Sequence, residues 1–226
     1  MSTEKKKTAS KGELFKEAGW VILGGLLPAW SRTYQQNFND MEIKFAQLGI
    51  RTLLPENFYF SQGIYYDFIQ ILSAPSHEKM VAYSVWFAAQ GWGHFSPMPV
   101  MEYTSESTGQ IPKEKDVTIV PNMDIENPAG WYILGTFDRD WYLNLGENLE
   151  KARQKRLGFC IRDVTPLYFT QGSRFSCVQL LEASSAGKIM EYTAWFAAEG
   201  FGCLVSTPYM DTTMVQQALF DAARNP

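Results

Sequence analysis

Tyr83-Ser84-Val85-Trp86-Phe87-Ala88-Ala89-Gln90-Gly91-Trp92-Gly93 returns later in the chain as Tyr192-Thr193-Ala194-Trp195-Phe196-Ala197-Ala198-Glu199-Gly200-Phe201-Gly202. The match extends outward from this core without a gap. Tyr59-Phe60-Ser61-Gln62-Gly63 falls on Tyr168-Phe169-Thr170-Gln171-Gly172, Gln70 on Gln179, Leu72 on Leu181 and Pro99 on Pro208. Upstream, Gly19-Trp20-Val21-Ile22-Leu23-Gly24 matches Gly130-Trp131-Tyr132-Ile133-Leu134-Gly135, and Trp30 matches Trp141. The offset changes between the two blocks, which places a length difference in the segment after Trp30. Identity of this density over an ungapped stretch marks an internal repeat. The chain reads as a tandem duplication of one unit.

Each copy shows the same sequence of periodicities. Trp131–Phe137 is an apolar run of strand length. Between Asp140 and Leu157, Leu145, Leu149 and Ala152 recur at helical spacing, with Gly158 placed to end the helix; Met41, Phe45, Leu48 and then Gly49 repeat the pattern in copy one. Two strand-like runs follow, Leu167–Gln171 and Phe175–Leu181, around a glycine-containing turn. A second helix begins near Lys188 with Ile189, Tyr192 and Phe196 on one face, matched by Met80, Tyr83 and Phe87. Gly200 and Gly202 stop it, and a last strand runs through Pro208 and Met210. The order β-α-β-β-α-β is an α+β, ferredoxin-like arrangement with both helices on one face of an antiparallel sheet. The other sheet face is bare, and two copies in one chain can cover each other. The expected boundaries are a tail over 1–17, repeat 1 over 18–104, a linker over 105–129, repeat 2 over 130–213 and a C-terminal helix or tail over 214–226.

Bulk composition narrows the function classes. Hydrophobic residues at 46% and charged residues at 19% fit a globular chain with a real core, and aromatics at 15% suit a ring-lined interior. A net charge of −4 argues against nucleic acid as a partner. The apolar stretch Val21–Trp30 is too short to span a bilayer, and the first 17 residues carry no secretory apolar run, so a cytoplasmic protein off the membrane is expected. Cys160, Cys177 and Cys203 form no CxxC pair and read as reduced thiols.

On element order and duplication, from about Gly19 to Thr213, the chain resembles the dimeric α/β-barrel superfamily with both halves fused in one polypeptide. A Trp just after the first strand and an aromatic stretch before the last one also give it a faint similarity to darcynin-type proteins. The superfamily resemblance implies a barrel body. It also implies chemistry of the kind found in its cofactor-free cyclases and monooxygenases, where a His, Tyr or Trp does acid/base work. Chlorite dismutases are tandem units of this superfamily, and their proximal heme histidine lies in the second unit. Copy two here contains no histidine. The resemblance therefore does not carry heme to this chain, and no cofactor is expected.

His94 is the foremost candidate for catalysis, because it follows the Gly-Trp-Gly turn and imidazole titrates near neutrality. A half-buried histidine satisfied by backbone groups stays open as the alternative; His77 reads as a surface residue. Gln62, Gln70, Gln171 and Gln179 are amides in apolar strands, and Tyr66 shares a sheet face with Phe68 and Gln70 by period-two alternation. If that face looks into the barrel, Gln62, Tyr66, Gln70, Gln171 and Gln179 line a ligand site; otherwise the amides serve structural hydrogen bonds. Two separated histidines give no zinc constellation, so no metal is expected. Asp138-Arg139-Asp140 reads as a helix start. The Gly-x-Gly turns follow helices and do not suit a dinucleotide. Tyr65-Tyr66-Asp67 against Arg174-Phe175-Ser176, and His94 against Cys203, make copy one the more titratable half. The leading reading is a small-molecule-binding barrel for an aromatic or apolar metabolite, acting as a cofactor-independent cyclase, isomerase or monooxygenase if it is an enzyme. The rival is a non-catalytic structural protein with a filled aromatic core and a surface that serves homo-oligomeric assembly.

Overall fold

The computed structural model describes residues 15–54, 58–61, 66–103, 125, 128–170, 174–211 and 213–215, the side chains of 15–18 and 103 excepted. Most of the expected tail, linker and C-terminal helix lies outside the described residues, as do Gln62 and Gln171. The first half contains β1 (Phe15–Leu26), α1 (Pro28–Arg32), α2 (Tyr34–Leu48), β2 (Arg51–Thr52), β3 (Tyr59–Ser61), β4 (Phe68–Ser73), α3 (His77–Ala89) and β5 (Gly93–Tyr103). The second half repeats the order as β6 (Ala129–Phe137), α4 (Arg139–Leu143), α5 (Leu145–Gly158), β7 (Ile161–Asp163), β8 (Tyr168–Thr170), β9 (Cys177–Ala183), α6 (Ala186–Ala198) and β10 (Gly202–Met210).

Two features depart from the expected order in both halves. The first helix is broken in two, at Thr33 (φ −136°) and Asn144 (φ −129°), where the backbone leaves the helical region. The buried amides of Asn37 and Asn148 then tie the pieces together by donating to the carbonyls of Trp30 (2.8 Å) and Trp141 (3.0 Å). The second feature is a short extra strand, β2 or β7, after the long helix. The helix stop in the second half also falls two residues beyond Gly158, at Cys160 (φ +56°), while Gly49 (φ +71°) fills this left-handed position in the first half. A side chain there costs about 1–2 kcal/mol, and Cys160 is exposed. Cys160→Gly is therefore expected to raise stability by about 0.5–1 kcal/mol, net of glycine's larger unfolded-state entropy. A urea midpoint that stays put or falls would contradict the strain argument.

Every strand pairing is antiparallel. The path β1-β5-β8-β9-β6-β10-β3-β4 is closed by the pairing of β4 with β1, so eight strands form a ring. The two sheets face each other, and their edges are laced at two seams. At one, β5 meets β8 through Val100↔Thr170, Met101↔Phe169 and Glu102↔Tyr168. At the other, β10 meets β3 through Tyr209↔Ser61 and Met210↔Phe60. Among the described residues, the lower part of β5, Gly93–Pro99, pairs with β1 alone. Gly24 O accepts from Asp67 N on the β4 side, so Gly25, Leu23 and Val21 turn their amides to β5. Pro97 and Pro99 consequently put their missing N–H groups on the side away from β1.

Three cores result. The ring encloses Val21, Leu23, Ile69, Ile71, Val178 and Leu180 with four tyrosines, Tyr59, Tyr132, Tyr168 and Tyr209. Between the first-half strands and helices lie Trp30, Phe58, Phe68, Phe87 and Trp92. Between the second-half strands and helices lie Trp141, Ile189, Tyr192, Phe196 and Phe201. Both faces of the central strands are thus buried, at roughly 1.5–3 kcal/mol per large apolar side chain. The second layer also buries a charge: the Arg156 guanidinium donates to both oxygens of Asp163 (2.7 and 2.9 Å) and to the Tyr192 hydroxyl (2.9 Å). Among the described residues no helix is long and apolar enough to cross a membrane.

Candidate functional site

Strand alternation places a polar group at one end of the ring. Ile69 and Ile71 of β4 point inward, so Asp67 has the inward register; Met98 and Val100 of β5 give the same register to His94 and Ser96; Val21 and Leu23 of β1 give it to Gly25. On the other wall Thr136, Ser176, Cys203 and Val205 occupy the matching places. All of these lie where β4, β5, β9 and β10 begin. Asp67, His94, Ser96, Thr136 and Cys203 are exposed despite their inward register, and Val205 is 43% exposed. The inner core therefore fills the ring through part of its depth, and among the described residues this end forms an exposed polar rim, or mouth. Tyr66, Met98 and Phe175 pack on the inner core beneath it.

His94 and Asp67 flank Gly25 at this rim, one on each side of β1. A Cβ built on Gly25 would lie 3.4 Å from His94 Cε1, 3.8 Å from His94 Nε2 and 3.7 Å from Asp67 Oδ2. The missing side chain at 25 leaves open space beside both the imidazole and the carboxylate. Asp67 is fixed there: its Oδ2 accepts from Leu26 N (2.7 Å), its N donates to Gly24 O (2.8 Å), and its O accepts from Ser61 N (2.8 Å). The same scaffold recurs opposite, where Ser176 Oγ accepts from Phe137 N (3.4 Å) and Ser176 N donates to Gly135 O (2.6 Å). Only the chemistry differs: carboxylate and imidazole on one wall, hydroxyl and thiol on the other.

The other candidates divide sharply. Tyr66 is half-buried beside Asp67 and packs on the inner core. Gln62 and Gln171 lie outside the described residues. Gln70 and Gln179 occupy the opposite face from that expected for a ligand site. Both are buried towards the helices, since their neighbours Ile69, Ile71, Val178 and Leu180 take the inward register. Gln70 Oε1 accepts from Tyr83 (3.2 Å), and Gln179 Nε2 donates to Thr165 O (3.2 Å), as structural amides do. Burial drives the Tyr83 phenol well above its usual range, the Gln70 bond opposing this only in part, and burial does the same to the Cys177 thiol. His77 sits at the start of α3 with its ring tilted against Trp20 (5.1 Å), away from the mouth. Sequence reasoning passed over Ser61 and Tyr132, whose hydroxyls are 2.8 Å apart. Tyr132 was legible as a change, since it stands where copy one has Val21.

Heme finds no fit in the second half. No histidine lies among residues 130–213. The layer between its strands and helices is filled by Trp141, Phe196, Phe201, Ile189 and the Arg156–Tyr192 pair, all buried. Among the described residues, no group of three His, Cys, Asp or Glu side chains could hold a metal ion.

No protein-family model matches this chain, and no curated protein does. Solved structures do. Chlorite dismutase from Candidatus Nitrospira defluvii, as a point mutant with lysine in place of an arginine, matches with a TM-score of 0.58 at 11% identity, over 86% of this chain and 92% of that one. A second point mutant of the same enzyme, with valine in place of a tryptophan, gives a TM-score of 0.58 at 10% identity over 87% and 92%. Its complex with imidazole gives 0.57 at 10% over 88% and 94%. These neighbours belong to the dimeric α/β-barrel superfamily. At such low identity the likeness is one of fold: the chain is built like a chlorite dismutase.

Proposed function

We propose that this chain is a tandem duplication of a ferredoxin-like unit whose first half has been specialised into an acid/base site for a small aromatic or apolar molecule. It would work without a cofactor, in the cytoplasm. The observation that carries the reading is the placement of His94 and Asp67 on either side of Gly25, at a polar rim with Tyr66, Met98 and Phe175 beneath it. An imidazole at this rim, with a fixed carboxylate across Gly25 from it, suits proton abstraction next to a carbonyl or phenol. Tyr66 would position the apolar body of the ligand.

The chain's two histidines make the test direct. Imidazole NMR signals should shift for His94, and not for His77, when aromatic fragments are titrated in. On a substrate found this way, His94→Gln should lower kcat by about 10²–10⁴-fold. Full activity in His94→Gln, or ligands that leave the His94 signals untouched, would sink the reading.

A second reading, homo-oligomeric assembly, rests on matched outer faces. Val85 on α3 is 63% exposed and Met190 on α6 is 66% exposed. Sedimentation of wild type against a Val85→Lys, Met190→Lys variant decides it, a shared monomer mass counting against assembly.

A further inference from the structure

Glycine is a costly choice inside a strand, because it packs nothing and loses the most backbone freedom on folding. At most strand positions of this chain the reason for it is plain. A Cβ at Gly19, Gly24, Gly93, Gly130, Gly135 or Gly202 would collide with a neighbouring carbonyl oxygen or side chain. Gly25 on β1 has no such reason. Its φ is not positive. The atoms nearest to an added Cβ are His94 Cε1 at 3.4 Å, Asp67 Oδ2 at 3.7 Å and His94 Nε2 at 3.8 Å, ordinary contacts with two exposed side chains. The second half carries Thr136 at the matching place, paired with Cys203 on one side and next to the Ser176–Gly135 bond on the other. The same scaffold therefore accepts a β-branched side chain, and the bare position occurs only on the wall that holds the imidazole and the carboxylate. A strand glycine that crowding and backbone geometry leave unexplained marks a place where a ligand or another backbone comes close. Among the described residues no backbone atom is nearest to this Cβ position, which leaves a ligand.

We propose that Gly25 is a specificity-determining residue, a notch that seats the polar end of the ligand between His94 and Asp67. This inference rests on the acid/base reading of the rim and narrows it. A ligand atom placed where the Cβ would be lies within 4 Å of both the carboxylate and the imidazole. Asp67 is held in place by the bond its Oδ2 accepts from Leu26 N. A carboxylate or phosphate on the ligand would meet like charge there, whereas an O–H or N–H donor gains a charge-assisted hydrogen bond. The ligand class becomes a flat, uncharged ring with a hydroxyl or an amide N–H at its edge. Its apolar body would lie over Tyr66, Met98 and Phe175, which pack on the inner core.

The full chain is titrated with 4-methylphenol and with 4-methylanisole, which keeps the ring and loses the donor, and binding is followed through the NMR signals of each probe. Wild type is expected to bind 4-methylphenol saturably and about tenfold more tightly than 4-methylanisole, the worth of one well-placed hydrogen bond. Gly25→Ala should weaken 4-methylphenol binding about tenfold or more, as one added carbon does in a fitted site. Gly25→Thr, which installs the residue found at 136, should weaken it further. Both variants should melt at or above the wild-type temperature, an outcome that a glycine required by the fold would not allow. Unchanged affinity in both variants would overturn the inference. So would equal wild-type affinity for the two probes, no binding by wild type, or a fall in thermal midpoint that tracks the loss of binding. If His94→Gln weakens 4-methylphenol binding while the Gly25 variants do not, the notch fails and the acid/base reading survives. The reverse pattern keeps the notch and removes His94.

Discussion

Arg156→Ala is expected to lose about 2–4 kcal/mol of stability. Breaking a fully buried ion pair costs roughly 3–5 kcal/mol because the remaining partner is stranded. Here the Asp163 side chain is 36% exposed, so water softens the penalty. Burial works against the guanidinium charge, and the Tyr192 and Asp163 oxygens outweigh it, so Arg156 stays ionised in the folded state. The first half shows what the same position looks like without a charge: Phe45 packs edge-on to Tyr83 at 5.0 Å, and Tyr83 donates to Gln70. Arg156→Phe combined with Asp163→Thr rebuilds that arrangement, with Gln179 placed to receive the Tyr192 hydroxyl. The double variant should regain most of the loss, since apolar replacement of a buried pair is often neutral or better. Denaturant midpoints decide the matter, and a double variant weaker than Arg156→Ala would refute the equivalence of the two layers.

Gly93→Ala should be about as damaging, at about 2–4 kcal/mol, and should also disturb the mouth. A Cβ there would collide with the Gly25 carbonyl oxygen, with φ at +155°. The oxygen belongs to the strand that carries the gap between His94 and Asp67, so relief requires β1 and β5 to part. Backbone strain of about 1–3 kcal/mol and overpacking of similar size both contribute. The expected result is a lower thermal midpoint together with altered His94 imidazole signals at temperatures where the variant is folded. Wild-type stability in Gly93→Ala would mean that the two strands do not approach this closely.

Much of this architecture could be read from particular residues, and some could not. The Gly-Trp-Gly turn announced where α3 ends and β5 begins, and the contrast of His94 with Cys203 pointed to the end of the ring where the inward-register polar side chains lie. Period-two alternation grouped Phe68 with Gln70 correctly but not Tyr66 with them, because Tyr66 lies ahead of β4 and packs on the inner core. It could not say which face they shared, because these strands are buried on both sides and alternation carries no polar contrast. The usable signal was shape: the helix-facing set on β4 is Phe68, Gln70 and Leu72, while the inward set is the β-branched Ile69 and Ile71. Arg156 was foreshadowed by its spacing, one helical turn after Ala152, yet a stripe that continues onto an arginine reads as solvent-facing. Its burial depends on Asp163 and Tyr192, which lie in other elements. The placement of Asp67 and His94 on either side of Gly25 depends on cross-strand register, which no local pattern encodes.

The unlaced stretch of β5 has a consequence for the life of the protein in a crowded solution. A bare strand margin is a template on which foreign chains can extend a sheet. Pro97 and Pro99 withhold the donors that an intruding strand would need, and the ring leaves few other margins open. The prolines thereby guard the polar rim at this end of the ring against seeding fibrils.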